Sequence, residues 1–461
     1  MPLTRFVIIQ GDEHLTSHSG LALIGALLER SGLRAACDLI RGAVPKREGF
    51  SLGQLVTAMT GLICLGKPDF DAIEEQREQP FFARSLGLPE CPSAPTLRQR
   101  LQAAESSLDK IVRRCSQDLV RQTASVISGV STARHGEVVP FEMDVVVFDN
   151  SKTKKEGLGW TYHRCMGFAP IFSHVGTEGY LVDVELRAGE KHSQSETTPV
   201  FLRASLEAAR RMLPKDDPRK LAGRLDAGFD SQDNIAVFEA TGDHYCIARN
   251  RRRESVAGWL EIGKNQGIAS KPRPGKTVWL GEIFKNVDGI DRRVVFEVTE
   301  RTTEWTPDGF QELVVPMIDI ESFWTDLTDS PADVIHFYHG RGTSEQFHSE
   351  IKTDLDLERL PSGAFATNQL VLLLGMLAYN CLRLMSQESL RNDPEIPALA
   401  KPPLRKLVKR RRVRSVMDDL MHLAARVIHT GRRWKLAFGR HAPWASTWHR
   451  LYGAFSIPTP T

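Results

Sequence analysis

Residues Tyr338–Lys352 read YHGRGTSEQFHSEIK, and within them Tyr338, Arg341, Glu345 and Lys352 fall at offsets 0, 3, 7 and 14. That spacing places a phenol, a guanidinium, a carboxylate and an ammonium on one face of a helix. A solvated stripe accounts for many such faces. The alternative is chemical: the carboxylate holds a metal ion and the cations hold phosphates. Ser330-Pro331-Ala332-Asp333 is a helix start, with Ser as N-cap, Pro in the first turn and an acid near the positive end. Gly340 and Gly342 interrupt the pattern, so Thr343 is expected to cap a second helical segment.

Two more acids stand out by position. Asp144 lies between Met143 and Val145 in an apolar strand, and Asp226 ends the strand that closes on Arg224-Leu225-Asp226. A carboxylate in such a setting is costly unless it is paired or binds a cation. Carboxylates from two adjacent strands and a facing helix would form a hard, oxygen-only site suited to Mg²⁺ or Mn²⁺. Two such ions bridged by a phosphate perform phosphoryl transfer. Asp149 remains a rival for the first position and Glu350 for the third. Glu142, Asp183 and Glu185 read as exposed strand acids, and His163, His174 and His192 receive no role.

The elements around these residues change character along the chain. Helical periodicity marks Gly20–Leu33, Leu52–Leu65, Phe70–Glu78 and Thr96–Val126, the last with Arg98, Arg100, Lys110, Arg113, Arg114 and Arg121 interspersed. From Val138 the order is strand, strand, strand, helix, strand, helix, strand, through to Asn250, which matches a ribonuclease-H-like mixed sheet. From Arg251 to about Trp324 short β-like segments alternate with turns, as in a β-rich insertion. Ala366–Met385 is almost wholly apolar but contains Asn368, Gln369, Asn380 and Arg383, so it reads as a buried core helix rather than a membrane span.

Composition excludes several classes. With 41% hydrophobic and 25% charged residues over 461 positions, the chain is an ordinary globular protein of several domains. Its seven cysteines are scattered without a CxxC pair, which suggests neither a disulfide framework nor a zinc site. No signal-like N-terminus is expected, and a reducing cytoplasm fits. The net charge of +3 conceals fourteen Lys/Arg between Lys401 and Arg450 against Asp418 and Asp419. Within that stretch Arg405, Lys406, Lys409, Arg410, Arg411, Arg412 and Arg414 alternate with apolar residues, predicting an amphipathic helix that binds phosphates. Arg432, Arg433 and Lys435 with Trp434 are expected to track a DNA backbone.

On these residues the chain resembles the DDE transposases of bacterial insertion sequences, in the branch with a Tyr-x2-Arg-x3-Glu-x6-Lys signature. Tyr338, Arg341, Glu345 and Lys352 match it position for position. EMDVVVFDNS resembles the first-strand motif, although Glu142-Met143-Asp144 stands where a D-x-D pair is common, and RLDAGFDS resembles the second. The resemblance implies metal-dependent cut-and-paste transposition: hydrolysis frees a 3′-hydroxyl at the element's end, which then attacks target DNA. It implies Asp144, Asp226 and Glu345 as catalytic ligands of two Mg²⁺ ions, for which Mn²⁺ substitutes. Tyr338, Arg341 and Lys352 would grip phosphates, and a homodimer would act on double-stranded DNA (terminal inverted repeats and target) in the bacterial nucleoid. One of Trp259, Trp279, Trp305 and Trp324 would stack a displaced base, against the simpler role of filling the insertion's core.

The expected architecture is α/β: a ribonuclease-H-like (retroviral-integrase-like) catalytic core with a β-rich insertion and flanking helical regions. Its parts are a helical N-terminal domain (1–135), the first half of the core (136–250), the insertion (251–325), the rest of the core with the Glu helix (326–390) and a basic helical C-terminal region (391–461). Competing functions are a nuclease or resolvase that cuts without joining, and a DNA-binding protein that has lost catalysis.

Overall fold

The computed structural model describes residues 6–40, 42, 49–191, 193–252, 254–306, 309–391, 408–431 and 433–456. The chain forms two compact units. One gathers Met1–Thr123, Asp354–Pro361 and Leu377–Thr461, and the other comprises Ala124–Thr353 and Ser362–Met376.

The second unit is built on a 10-stranded mixed sheet. In chain order its elements are β1 (Gly136–Val145), β2 (Ile171–Val175), β3 (Tyr180–Glu185), helix α1 (Thr198–Met212), β4 (Leu221–Leu225), helix α2 (Gln232–Thr241) and β5 (His244–Ala248). This is the strand and helix order expected from the sequence. β1, β4 and β5 run parallel, with Met143 opposite Leu225 and Ile247 opposite Leu225, while β2 pairs antiparallel with β1 and β3 with β2. Spatially the order is 3-2-1-4-5.

The stretch after β5 differs from expectation in two ways. Helix α3 (Val256–Gln266) precedes the strands, opened by Ser255, whose side chain accepts from the Gly258 amide. The strands are also long: β6 (Ile268–Arg273), β7 (Lys276–Val287), and β8 (Ile290–Thr306) and β9 (Gly309–Thr325) of 17 residues each. They extend the main sheet, β9 pairing with β5 through Cys246 and Thr325. Trp259, Trp279 and Trp324 are buried, whereas Trp305 on β8 is 66% exposed opposite Phe310.

Helix α4 (Pro331–His339) packs on this sheet. Ser330 caps it by accepting from the Asp333 amide, as the sequence predicts. Val334, Ile335 and Phe337 bury against Val138 of β1, Ala222 of β4, Cys246 of β5, Val295 of β8 and Phe323 of β9. Each such burial stabilises by roughly 1.5–3 kcal/mol. A 3-10 turn (Gly340–Thr343) and helix α5 (Ser344–Ser349) continue the chain, followed by a π-helical turn over Glu350–Asp354. Thr343 is helical and makes no cap bond, so the second segment grows out of the turn without a new N-cap.

A buried pair fixes this helix over the strands. Arg224 of β4 and Glu142 of β1 are opposite in register, each 4% exposed, and joined by a side-chain hydrogen bond. Glu142 is therefore not the exposed strand acid expected; Asp183 is buried as well, and half-buried Glu185 pairs with Arg187. Burial outweighs the guanidinium and leaves the Glu142 carboxyl above its ordinary range. The pair is thus expensive to hold, and its value is geometric. Arg224 also donates to the Phe337 carbonyl (3.3 Å) and lies over the Phe337 ring. A Cβ at Gly340 would collide with Arg224 Nη1, which explains one glycine of the motif. Nothing lies near Gly342, and the structure gives no reason for it.

In the first unit, helices Leu21–Arg30, Leu52–Cys64 and Ala94–Thr123 match expectation. Helix α6 (Phe365–Ser389), which begins in the second unit, is long and apolar enough to cross a membrane by composition. Its most apolar window is 89% buried inside the protein, as a core helix requires. The basic C-terminal segment departs from expectation. Arg405 and Lys406 lie outside the described residues, and Lys409–Arg412 is not helical. The Lys409 and Arg411 carbonyls accept instead from Gln387, Arg383 and Ser386, which satisfies them without helical bonds. Further on, the chain forms an antiparallel hairpin, Ala425–Thr430 with Arg433–Phe438, so the C-terminal region is not wholly helical.

Arg224→Met should leave Glu142 buried without its partner and cost about 3–5 kcal/mol in urea unfolding, with the Glu142→Leu/Arg224→Met double substitution recovering most of it. A single variant as stable as the parent would show that the pair is incidental.

Candidate active site

β1 and β4 end side by side, and this register brings Asp144 and Asp226 together. Asp144 is the penultimate residue of β1, and Asp226 follows the last residue of β4. Each is held by the backbone: Asp144 Oδ1 accepts from the Val145 amide (2.9 Å) and Asp226 Oδ1 from the Gly228 amide (2.8 Å). Their other oxygens face one nitrogen. Arg341 Nη2, on the 3-10 turn above, lies 2.6 Å from Asp144 Oδ2 and 3.8 Å from Asp226 Oδ2.

Glu345, one turn further along, is exposed and makes no hydrogen bond or ion pair among the described residues. Its charge nevertheless reaches Asp144 and helps push that carboxyl's ionisation up. Burial is the larger cause for Asp144, with Arg341 opposing it. Asp226 is also raised, first by burial and then by the negative charge of Asp144. Arg341 is half-buried, which works against its charge, yet the carboxylates around it hold it more firmly charged than usual.

Three carboxylates against one guanidinium is an arrangement short of positive charge. Its donors are all oxygen, which fits a hard divalent cation. Among the described residues no three His, Cys, Asp or Glu side chains already stand as a ready-made metal cage. The cation between the aspartates is Arg341. Residues that would hold a metal are Asp144 and Asp226, with Glu345 as the open third donor.

The remaining sequence-selected residues fall into place unevenly. Tyr338 is half-buried with its ring 4.4 Å from Phe323, and burial raises its phenol. Lys352 Nζ donates to the Val147 carbonyl (2.8 Å) on the segment leaving β1. Asp149 is exposed in a small separate sheet and accepts from the Ser151 amide and hydroxyl, the behaviour of a turn aspartate. Glu350 is fully buried. In the C-terminal set, Lys409 and Arg414 are exposed, Arg410 donates to Tyr379 Oη (3.4 Å), and Arg412 bonds Asp354. Arg411 is a correction: it is 4% exposed, paired with Asp419 and stacked over Trp444, so it serves the core.

Two residues near the aspartates escaped the sequence reading. His348 Nδ1 lies 3.8 Å from Asp144 Oδ2, and burial and Arg341 hold its ionisation down at about 4. Its i+3 spacing from Glu345 was the available signal. Tyr162 donates to the Val145 carbonyl (3.2 Å), its phenol pushed up to about 12 by burial and the two aspartates. No periodic signal marks it, because it sits in an irregular loop.

Because both aspartates have raised folded-state ionisation, the stability they contribute is present at low pH and lost as pH rises through that raised range. Asp226→Asn removes the charge that pushes against Asp144 while leaving the Arg341–Asp144 pair. It should raise the Tm at neutral pH, with the gain shrinking as pH falls into the carboxylate range. A lowered or pH-independent Tm would contradict this electrostatic description.

The sequence profile described as transposase DDE domain group 1 matches residues 7–456. No curated protein matches the chain. DDE transposases act on DNA and generally use divalent metal ions. Matched over nearly its whole length, this chain belongs to the DDE transposase family.

Proposed function

We propose that the protein is an insertion-sequence transposase that cleaves element ends and transfers the freed 3′-hydroxyl to target DNA. In this reading Asp144, Asp226 and Glu345 are the catalytic triad and the two-ion Mg²⁺ site. The observation that carries it is the meeting of Asp144 and Asp226 at adjacent parallel strand ends, around one guanidinium and beside an unengaged Glu345. The 3-2-1-4-5 order, with its second strand antiparallel, supports a ribonuclease-H-like core. When bound, the divalent ions would neutralise the phosphoryl oxygens and acidify the attacking water or hydroxyl.

The chain's own residues do the rest. Asp144 and Asp226 would hold a divalent ion in place of the guanidinium, which would leave Arg341's planar fork for a phosphate beside the scissile bond. Lys352 holds the strand after β1 and presents its ammonium to the same backbone. Tyr338, seated on Phe323, sets the distance between helix and substrate. Glu345 closes the site from the helix. Action as a homodimer on paired element ends, in the bacterial cytoplasm, belongs to the same proposal.

Asp144→Asn, Asp226→Asn and Glu345→Gln should each cut strand cleavage by about a thousandfold or more while leaving duplex binding intact. The assay is nicking of a duplex carrying the element end with Mg²⁺, followed by joining of a pre-cut end to a plasmid. Cleavage without joined product would favour a nuclease or resolvase. Activity surviving in all three variants would end the triad assignment.

A further inference from the structure

We propose that the C-terminal hairpin is a DNA-reading ribbon that enters the major groove of duplex DNA, an inference that rests on the transposase reading. Strands β10 (Ala425–Thr430) and β11 (Arg433–Phe438) pair antiparallel around Gly431, whose φ of +59° suits the tight turn. Alternation sorts their side chains. One face carries Val427, His429, Trp434, Leu436 and Phe438, and it is anchored: Phe438 meets Trp448 at 5.0 Å, while Trp434 stacks on His429 at 4.2 Å and lies under the Arg84 guanidinium at 4.0 Å. The other face carries Arg426, Ile428, Thr430, Arg433, Lys435 and Ala437.

That second face is cationic and unspent. Arg426, Arg433 and Lys435 are exposed and make no hydrogen bond or ion pair among the described residues. Elsewhere in the same chain half-buried arginines are matched with acids, as Arg293 with Glu282 and Arg219 with Asp217. Leu420–Thr461 contains six Lys/Arg and no Asp or Glu, and Asp12 and Glu13, which precede the Leu15–Thr16 strand beside β10, make no ion pair with them among the described residues. Like charges on one face of a small sheet repel and destabilise it. Such a face gains from a polyanion laid along it.

Duplex DNA is the polyanion whose shape fits. Leu15–Thr16 pairs with β10 only at Ala425 and Arg426, so from Ile428 to Lys435 the hairpin projects as two strands, and a two-stranded ribbon is admitted by the major groove, about 12 Å wide. Alternate residues on a strand advance about 7 Å, close to two base steps along the helix axis. Arg426 and Lys435 then flank as phosphate contacts. Thr430 and Arg433, opposite each other beside the turn, reach base edges, where an arginine pairs with guanine O6 and N7. The apolar face and the Arg84–Trp434 stack hold the ribbon rigid while it does so. Specificity for an element end thereby acquires a structural source separate from the catalytic carboxylates.

The test uses the full-length protein and the triple variant Arg426→Gln/Arg433→Gln/Lys435→Gln, with Arg433→Gln alone as the milder companion, and checks both for an unchanged melt. The probes are a fluorescent mixed-sequence duplex and the same duplex with 7-deazaguanine replacing guanine. The triple variant should bind the first duplex about tenfold or more weakly and lower the salt slope by about 2–3. The parent should bind the 7-deazaguanine duplex less well than the first, and the variants should lose that difference. Unchanged affinity and slope in the variants would overturn the proposal, as would a parent indifferent to 7-deazaguanine. Tighter binding of the parent to single-stranded RNA or anionic vesicles than to duplex, lost in the variants, would overturn the choice of partner. A parent that nicks element ends alongside unaltered ribbon variants sinks the ribbon and spares the transposase reading; a parent that binds duplex through the ribbon but never nicks does the reverse.

Discussion

The buried contact between Arg224 and Glu142 is the constraint on which the site depends. It ties adjacent strands together two residues before they deliver the two aspartates. The same guanidinium reaches the Phe337 carbonyl and crowds Gly340. One side chain therefore sets the height of the helix that carries Arg341 and Glu345. As energy, a buried ion pair is a poor investment, since desolvation consumes most of its Coulomb attraction. As a spacer it is effective: Arg224 Nη1 occupies the space a Cβ at 340 would take, so the glycine lets the next turn begin close over the pair.

Above this support the site is electrostatically unfinished. Burial and mutual repulsion push both aspartates toward protonation, and a single arginine holds them. Such a site favours whatever cation supplies more charge than Arg341 can. The guanidinium opposes that push without cancelling it, and once displaced it would be free for a substrate phosphate. A divalent ion and a DNA backbone would thus satisfy the carboxylates and the arginine together, coupling metal binding to substrate binding.

Much of this was legible in the sequence. The strand and helix order of the core followed from β-branched runs and helical periodicity, and the Ser330–Asp333 start from its cap chemistry. Asp144, Asp226 and Arg341, which the structure brings together, were singled out by position and spacing. What escaped depended on partners distant in sequence. Glu142 looked like an exposed strand acid because its arginine lies 82 residues away. Tyr162 carries no local signal of its neighbours, and His348 only its i+3 spacing from Glu345. The C-terminal basic stretch reads as an amphipathic helix by pattern, but Arg411 finds Asp419 and Trp444, and side chains of α6 take the carbonyls that a helix would use. Helix α3 was hidden within a β-rich stretch because Gly258 and Gly263 interrupt its pattern.

The central claim is that Asp144 and Asp226 exchange Arg341 for a divalent cation. A crystal structure of the protein with Mn²⁺ and element-end DNA, located by anomalous scattering, tests it most directly. The account predicts manganese bound by Asp144, Asp226 and Glu345, with Arg341 moved onto a phosphate. Manganese on Asp149, or none at Asp144 with the Arg341 bond intact, would contradict it.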